Sequence, residues 1–267
     1  METGFSPLTW RSRVKSMLKV DFRRMWRSRV FYILIACALL VPILMTVMMT
    51  AMDGMESVNP QKNVVTVLKG PENDWQNIGT LPDGETMGGM DVFGMCNINM
   101  VFMGALVFIC LFISDDFRSG YAKNLVTVRA KKGDYVFSKT LAGVVCGTLM
   151  LIAYLVGTLL GGAIAGLSFD LGGLTVGNLV NCILAKIFLM PVFIAIFTLI
   201  SVAAKDKAWL AICGSLGGGM LLFMMAAMIS PLSSTLIHVM LCLAGGVIFS
   251  VGLGAVGKLV LEKTSLV

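Results

Sequence analysis

Six apolar stretches of about twenty residues each, the length a helix needs to cross a bilayer, constrain this chain more than any other feature. They run from Val30 to Met52, Val92 to Ile113, Thr140 to Gly162, Leu179 to Ala204, Ala208 to Ile229 and Leu236 to Gly257. Hydrocarbon holds no water to satisfy backbone N–H and C=O groups, so a spanning segment must be a helix or a strand of a closed barrel. Barrel strands alternate polar and apolar residues, and these runs do not. Only 13% of the residues are charged, about half the roughly 25% of a soluble domain. The expected fold is an all-α polytopic membrane protein with six transmembrane helices. It divides into an N-terminal segment 1–29, a six-span domain 30–257 and a tail 258–267.

The segments between the runs set the orientation. Ser114 to Lys139 carries Asp115, Asp116 and Asp134 against Arg118, Lys123, Arg129, Lys131, Lys132 and Lys139. An excess of Lys and Arg in a short loop marks the cytoplasmic side. Asp53 to Asp91 holds seven acids against Lys62 and Lys69, as an external loop does, and the tight turn Lys205-Asp206-Lys207 falls inside. That places both termini in the cytoplasm. The net charge of +6 follows from this bias and implies no nucleic-acid partner. The first apolar run is too long for a signal-peptide core and has no A-x-A site after it, so it should remain as an anchor.

Before that run, Trp10 to Arg29 repeats Val14, Met17, Leu18, Phe22, Met25 and Trp26 at three- and four-residue steps between eight basic residues. This is the pattern of a basic amphipathic helix lying in the membrane interface, with Trp10, Phe22 and Trp26 toward lipid. A plain topogenic charge cluster is the simpler reading.

Sites inside the membrane are few. The seven cysteines contain no C-x-x-C pair and read as buried small hydrophobes, with no disulfide or metal framework. GLGAVGK at Gly252 to Lys258 matches a phosphate-loop pattern, but Leu259 stands where Ser or Thr is needed and the glycines end a span. The chain therefore should carry no ATPase and no cofactor of its own. His238 is the single histidine, so no His pair exists for a metal. Lys186 lies two turns inside the fourth span and either snorkels to the outer interface or lines a polar path. Asn97 and Asn99 enter the second span from outside and face either a cavity or a neighbouring helix. The pairs Gly143/Gly147, Gly157/Gly161, Gly162/Gly166 and Gly214/Gly218 suit close helix packing in lipid. The loop 53–91 is longer than a plain connector; it caps an exit path or is variable surface, and Val64 to Leu68 suits a short strand.

The segment 114–139 resembles the cytoplasmic segment after the second span in permease subunits of type-2 ABC exporters. The matching positions are Asp115, Asp116, Phe117, Gly120, Lys123, Asn124, Leu125, Arg129, Tyr135 and Lys139. Tyr121 stands where Thr is usual, and Lys131-Lys132 where Pro or Ser is common. The resemblance extends to the amphipathic N-terminal helix, the six spans and the short break before the last, and is closest to permeases for peptide efflux and self-immunity, such as bacteriocin and phenol-soluble-modulin exporters. It implies a cytosolic coupling helix on which separate P-loop ATPase subunits, holding ATP and Mg, would dock. Phe117 and Tyr121 would seat in an ATPase groove, with Lys123, Arg129 and Asp116 around its rim and Asp115, Arg118, Gly120 and Asn124 completing the surface. A second permease copy would complete a path through a bacterial plasma membrane. The implied function is outward movement of an amphipathic peptide by a non-catalytic subunit. The alternatives are export of a lipid, glycan or drug, and a secondary transporter or channel.

Overall fold

A computed structural model describes residues 10–59, 64–67, 70–71, 73–79, 97–128 and 131–263. The chain is nearly all helix. Helix α1 (Trp10–Arg27) leads through Ser28 into α2 (Arg29–Ala51). A short antiparallel hairpin of β1 (Glu56–Asn59) and β2 (Val64–Val67) follows, then a 3-10 turn at Asp74–Asn77. The remaining helices are α3 (Met100–Arg118), α4 (Tyr121–Val128), α5 (Lys132–Ala165), α6 (Val176–Ala204), α7 (Ala208–Ile229) and α8 (Leu236–Lys263). Among the described residues, five helices (α2, α3, α5, α6 and α8) are long and apolar enough to cross a bilayer, and α7 adds the shorter apolar stretch Ala208–Met220.

The helices exceed the apolar runs at the end that carries the charged segment. Helix α3 continues to Arg118, so Asp115 and Asp116 are helical. Helix α5 begins at Lys132, two turns before the expected Thr140, and α8 continues to Lys263. These extra turns are polar and pack on one another and on α1, which lets the helix ladder continue where hydropathy stops. Helix α3 starts at Met100; residues 92–96, part of the expected second span, lie outside the described residues.

Helix α6 is central, packed against α3, α5, α7 and α8, while α2 lies along α5. The interior is aromatic: Phe102 of α3 stacks on Phe193 of α6 with centroids 4.3 Å apart, and Phe108 stacks on Phe112 at 5.2 Å. Glycines set the close crossings. A Cβ on Gly157 would sit 2.2 Å from the Leu39 carbonyl oxygen, and one on Gly161 3.0 Å from Ile43 Cα, so α2 meets α5 backbone to backbone. Gly143 and Gly147 admit Ile194 and Met190 of α6 in the same way. Of the other two pairs, Gly162 faces Asp74, Gly166 caps α5 in the left-handed region, Gly214 touches Ile200 and Gly218 has open space.

At the opposite end from the charged segment, part of the loop after α2 plugs the bundle. Trp75 is buried and its Nε1 donates to the Phe169 carbonyl at 2.8 Å; Asp74 N donates to Ser168 O at 3.1 Å. Asn77 Nδ2 reaches Thr46 Oγ1 of α2 at 3.0 Å, and its carbonyl accepts from Ile98 N. This stretch is a cap fixed to α2, to the α5–α6 connection and to the start of α3.

Candidate functional site

The charged end is built around three buried charged side chains and a partly buried fourth, from three helices. Along α1 the buried residues are Val14, Met17, Asp21 and Met25, so Asp21 lies on the apolar stripe at helical spacing. That stripe faces protein: α1 packs along the first turns of α5. Lys139 of α5, fully buried, lies between two carboxylates, with Nζ 2.6 Å from Asp21 Oδ1 and 2.7 Å from Asp116 Oδ2. Ser138 Oγ donates to Asp21 Oδ2 at 2.5 Å and Tyr135 OH to Asp116 Oδ2 at 3.0 Å. Arg24 of α1 completes the set, donating through Nη1 to Asp116 Oδ1 and through Nη2 to Asp115 Oδ2 at 3.1 Å.

Two carboxylates against two cations make the cluster neutral, which burial demands: an unpaired ion away from water costs several kcal/mol. Burial, the largest single influence, pulls the Arg24 guanidinium down, but attraction and hydrogen bonding to Asp116 together with the charge of Asp21 leave the group above its ordinary value. Arg24 lies over the Tyr121 ring at 4.5 Å and Lys139 Nζ over the Phe112 ring at 4.1 Å, where the ring faces add attraction for cations. The Tyr121 hydroxyl is pushed up to about 12, first by burial and then by the charges of Asp21 and Asp116. A peripheral pair, Arg13 Nε to Asp134 Oδ2 at 2.9 Å, ties α1 to α5 again.

Helix α4 hangs from this hub. Gly120, at φ +71°, reverses the chain between α3 and α4 in a conformation that L side chains rarely adopt. Tyr121 turns inward under Arg24, and Phe117 lies edge-on to Tyr135 with centroids 6.4 Å apart. The two aromatics expected to seat in a partner's groove thus pack within the chain, and Asp116, expected at the rim, is the fully buried centre of the cluster. The reason is charge balance: Asp116 pairs with both Arg24 and Lys139, and Asp21 supplies the second negative charge. Asp115, Arg118, Lys123 and Asn124 remain exposed; Arg129 lies outside the described residues. Trp10 and Trp26 are about half exposed at the two ends of α1, while Phe22 packs partly into the core.

Sequence reasoning passed over Asp21, Arg24, Asp134 and Ser138. Asp21 had one legible signal, a lone acid on the apolar face of a basic helix.

A second polar cluster lies in the membrane region. Lys186 does not reach the interface; it is buried and donates to Asn99 Oδ1 at 2.9 Å, to the Ser230 carbonyl at 3.1 Å and to the Ser230 hydroxyl at 3.0 Å. Ser230 caps the C-terminus of α7, so the ammonium also meets the negative end of that helix dipole. Snorkelling fails because these acceptors are nearer than water. Lys186 is ten residues into α6, roughly 15 Å along its axis, about half the hydrocarbon thickness. Asn97 turns to the backbone instead, its Oδ1 accepting from Asn99 N at 2.9 Å. Of the three expected path residues, the fold joins Asn99 and Lys186.

Residues 17–221 match the family described as ABC-2 family transporter protein. No curated protein and no solved structure matches the chain. The match spans the hub, α4, Asn99 and Lys186 and covers well over half of the sequence, so the chain belongs to the ABC-2 family of membrane transport subunits. Membership implies an ATPase partner and a multi-pass permease working as part of an ABC transporter.

Proposed function

We propose that this permease couples to its ATPase through the exposed face of α4 and carries an amphipathic peptide outward across a bacterial plasma membrane. The observation that supports the coupling surface is the suspension of α4 from three helices at once. Gly120 hinges it from α3, Tyr121 lies beneath Arg24 of α1, and Lys139 of α5 lies over the same Tyr121 ring at 5.6 Å. A push on α4 is therefore delivered to α1, α3 and α5 together. ATP and Mg belong to the partner subunits, and a second permease copy completes the path.

In this reading the charged end faces the cytosol, as its Lys and Arg excess requires, and α1 lies along the inner membrane surface with Trp10 and Trp26 toward lipid. The partner meets Arg118, Lys123 and Asn124, with Asp115 beside them. The polar cluster of Lys186, Asn99 and Ser230 closes the outer half of the bundle in the resting state. The peptide assignment follows the resemblance of segment 114–139 to peptide-efflux and self-immunity permeases.

The test is purification with the candidate ATPase in lipid. Arg118→Glu with Lys123→Glu should abolish co-purification and ATP hydrolysis while the thermal unfolding of the permease stays unchanged, because neither side chain is buried. Retained association would overturn the coupling surface. Hydrolysis stimulated by an amphipathic helical peptide supports the substrate class; stimulation by lipid or drug alone would replace it.

A further inference from the structure

A groove of about 590 Å³ opens on the bundle surface between α5 and α8. Phe137 and Leu141 form one wall, Val247 and Val251 the other, and Pro191 of α6 the floor. At the charged end α5 and α8 draw together, where Lys132 Nζ donates to the Leu261 carbonyl at 2.6 Å and Gly257 packs on Val136, and the groove opens to the surface beside Lys258. We propose that this groove is a binding site for one anionic phospholipid of the cytoplasmic leaflet, its acyl chain between α5 and α8 and its headgroup at Lys258.

Three observations select that occupant. The lining offers almost no hydrogen bonds: of its hydroxyls, Thr140 already donates to the Val136 carbonyl at 3.0 Å, leaving Ser250. The groove follows α8 from Leu243 to Lys258, roughly 22 Å at 1.5 Å per residue, more than the ~15 Å of one leaflet's hydrocarbon. A hydrocarbon chain fits that slot along its length.

The mouth has the chemistry of the headgroup level. Trp10, half exposed and tilted against Phe137 with centroids 6.1 Å apart, stands beside it, and Trp is enriched at that depth. Asp134 is neutralised by Arg13, and Lys132 is committed to Leu261. Lys258 is half exposed, and its ion pair among the described residues is to the half-exposed Glu262, 3.7 Å away, a pair worth little in water. The cation facing the mouth is thus available to a phosphate.

Trp10 reports occupancy. The purified, delipidated permease is titrated with brominated phosphatidylglycerol or brominated phosphatidylcholine, and quenching is taken as the difference between the protein and its Trp10→Phe variant. Phosphatidylglycerol should quench at about fivefold lower concentration, the factor one Lys near the surface supplies. Lys258→Glu should remove that preference. A Cβ on Gly254 meets nothing within 4 Å, so Gly254→Leu fills the groove without strain and should abolish the Trp10-specific quenching. Equal quenching by the two lipids, or quenching unchanged in Gly254→Leu, overturns the site. A changed oligomeric state in Gly254→Leu with quenching intact overturns it too, and assigns the groove to a second copy.

Discussion

Replacing Asp74 with Asn probes the cap at the opposite end of the bundle, and its effect should depend on pH. Asp74 is fully buried in the 3-10 turn, against Gly162 of α5, where a Cβ would have no room. Neither carboxylate oxygen has a hydrogen-bond partner among the described residues. Burial pushes its pKa up from 3.8 to about 7, and the neighbouring Asn77 draws it back only in part. Below the unfolded value both states hold the proton and the group contributes nothing. Between that value and about 7 the folded state keeps a proton the unfolded chain has lost, so stability falls as pH rises. Above about 7 the penalty is constant. Three units at 1.36 kcal/mol each give about 4 kcal/mol at most. Asn occupies nearly the same volume without the charge. Thermal unfolding in micelles at pH 5 and pH 8, read as variant minus wild type, cancels every other titrating group. The variant should gain about 1.6 kcal/mol at pH 5, which is 1.2 units above the unfolded value, and about 4 kcal/mol at pH 8, the latter on the order of ten degrees. A difference that does not grow with pH would refute the reasoning.

Two further perturbations test the hub and the helix crossing. Lys139→Met leaves Asp21 and Asp116 buried with Arg24 alone and should lower stability by about 3–5 kcal/mol, with part recovered when Asp21→Asn is added; thermal unfolding of both variants decides it, and equal losses would refute charge balance as the cause. Gly157→Val drives a side chain into the Leu39 carbonyl and should unseat α2, whereas Gly217→Ala, which meets nothing within 4 Å, should stay within about 0.5 kcal/mol; folded yield from membranes compares them.

The membrane-spanning helices were legible because hydrocarbon length and hydropathy leave little choice, and Gly120 was singled out as part of segment 114–139. The hub was legible only in pieces. Tyr135 and Lys139 stood out through resemblance, but Asp116 was placed on the surface because a charged loop residue is ordinarily solvated. What overrides that rule is a pairing across 92 residues to Arg24, which no local pattern carries. Lys186 repeats the lesson: its acceptors Asn99 and Ser230 lie 87 and 44 residues away, and without them snorkelling is the sound default. Asp74 had no signal at all, since its burial depends on the missing side chain of Gly162.

The tie between α1 and the rest of the hub has a consequence for synthesis. Asp21 leaves the ribosome 118 residues ahead of Lys139, so α1 and the spanning helices α2 and α3 emerge before that partner does. Until then Asp21 has Arg24, one helical turn along α1, as its partner within the hub, so the helix is made well before α5 can seat it. A chain stalled or truncated before residue 139 would hold its N-terminal helix undocked, which gives a quality-control protease a simple mark of an unfinished permease.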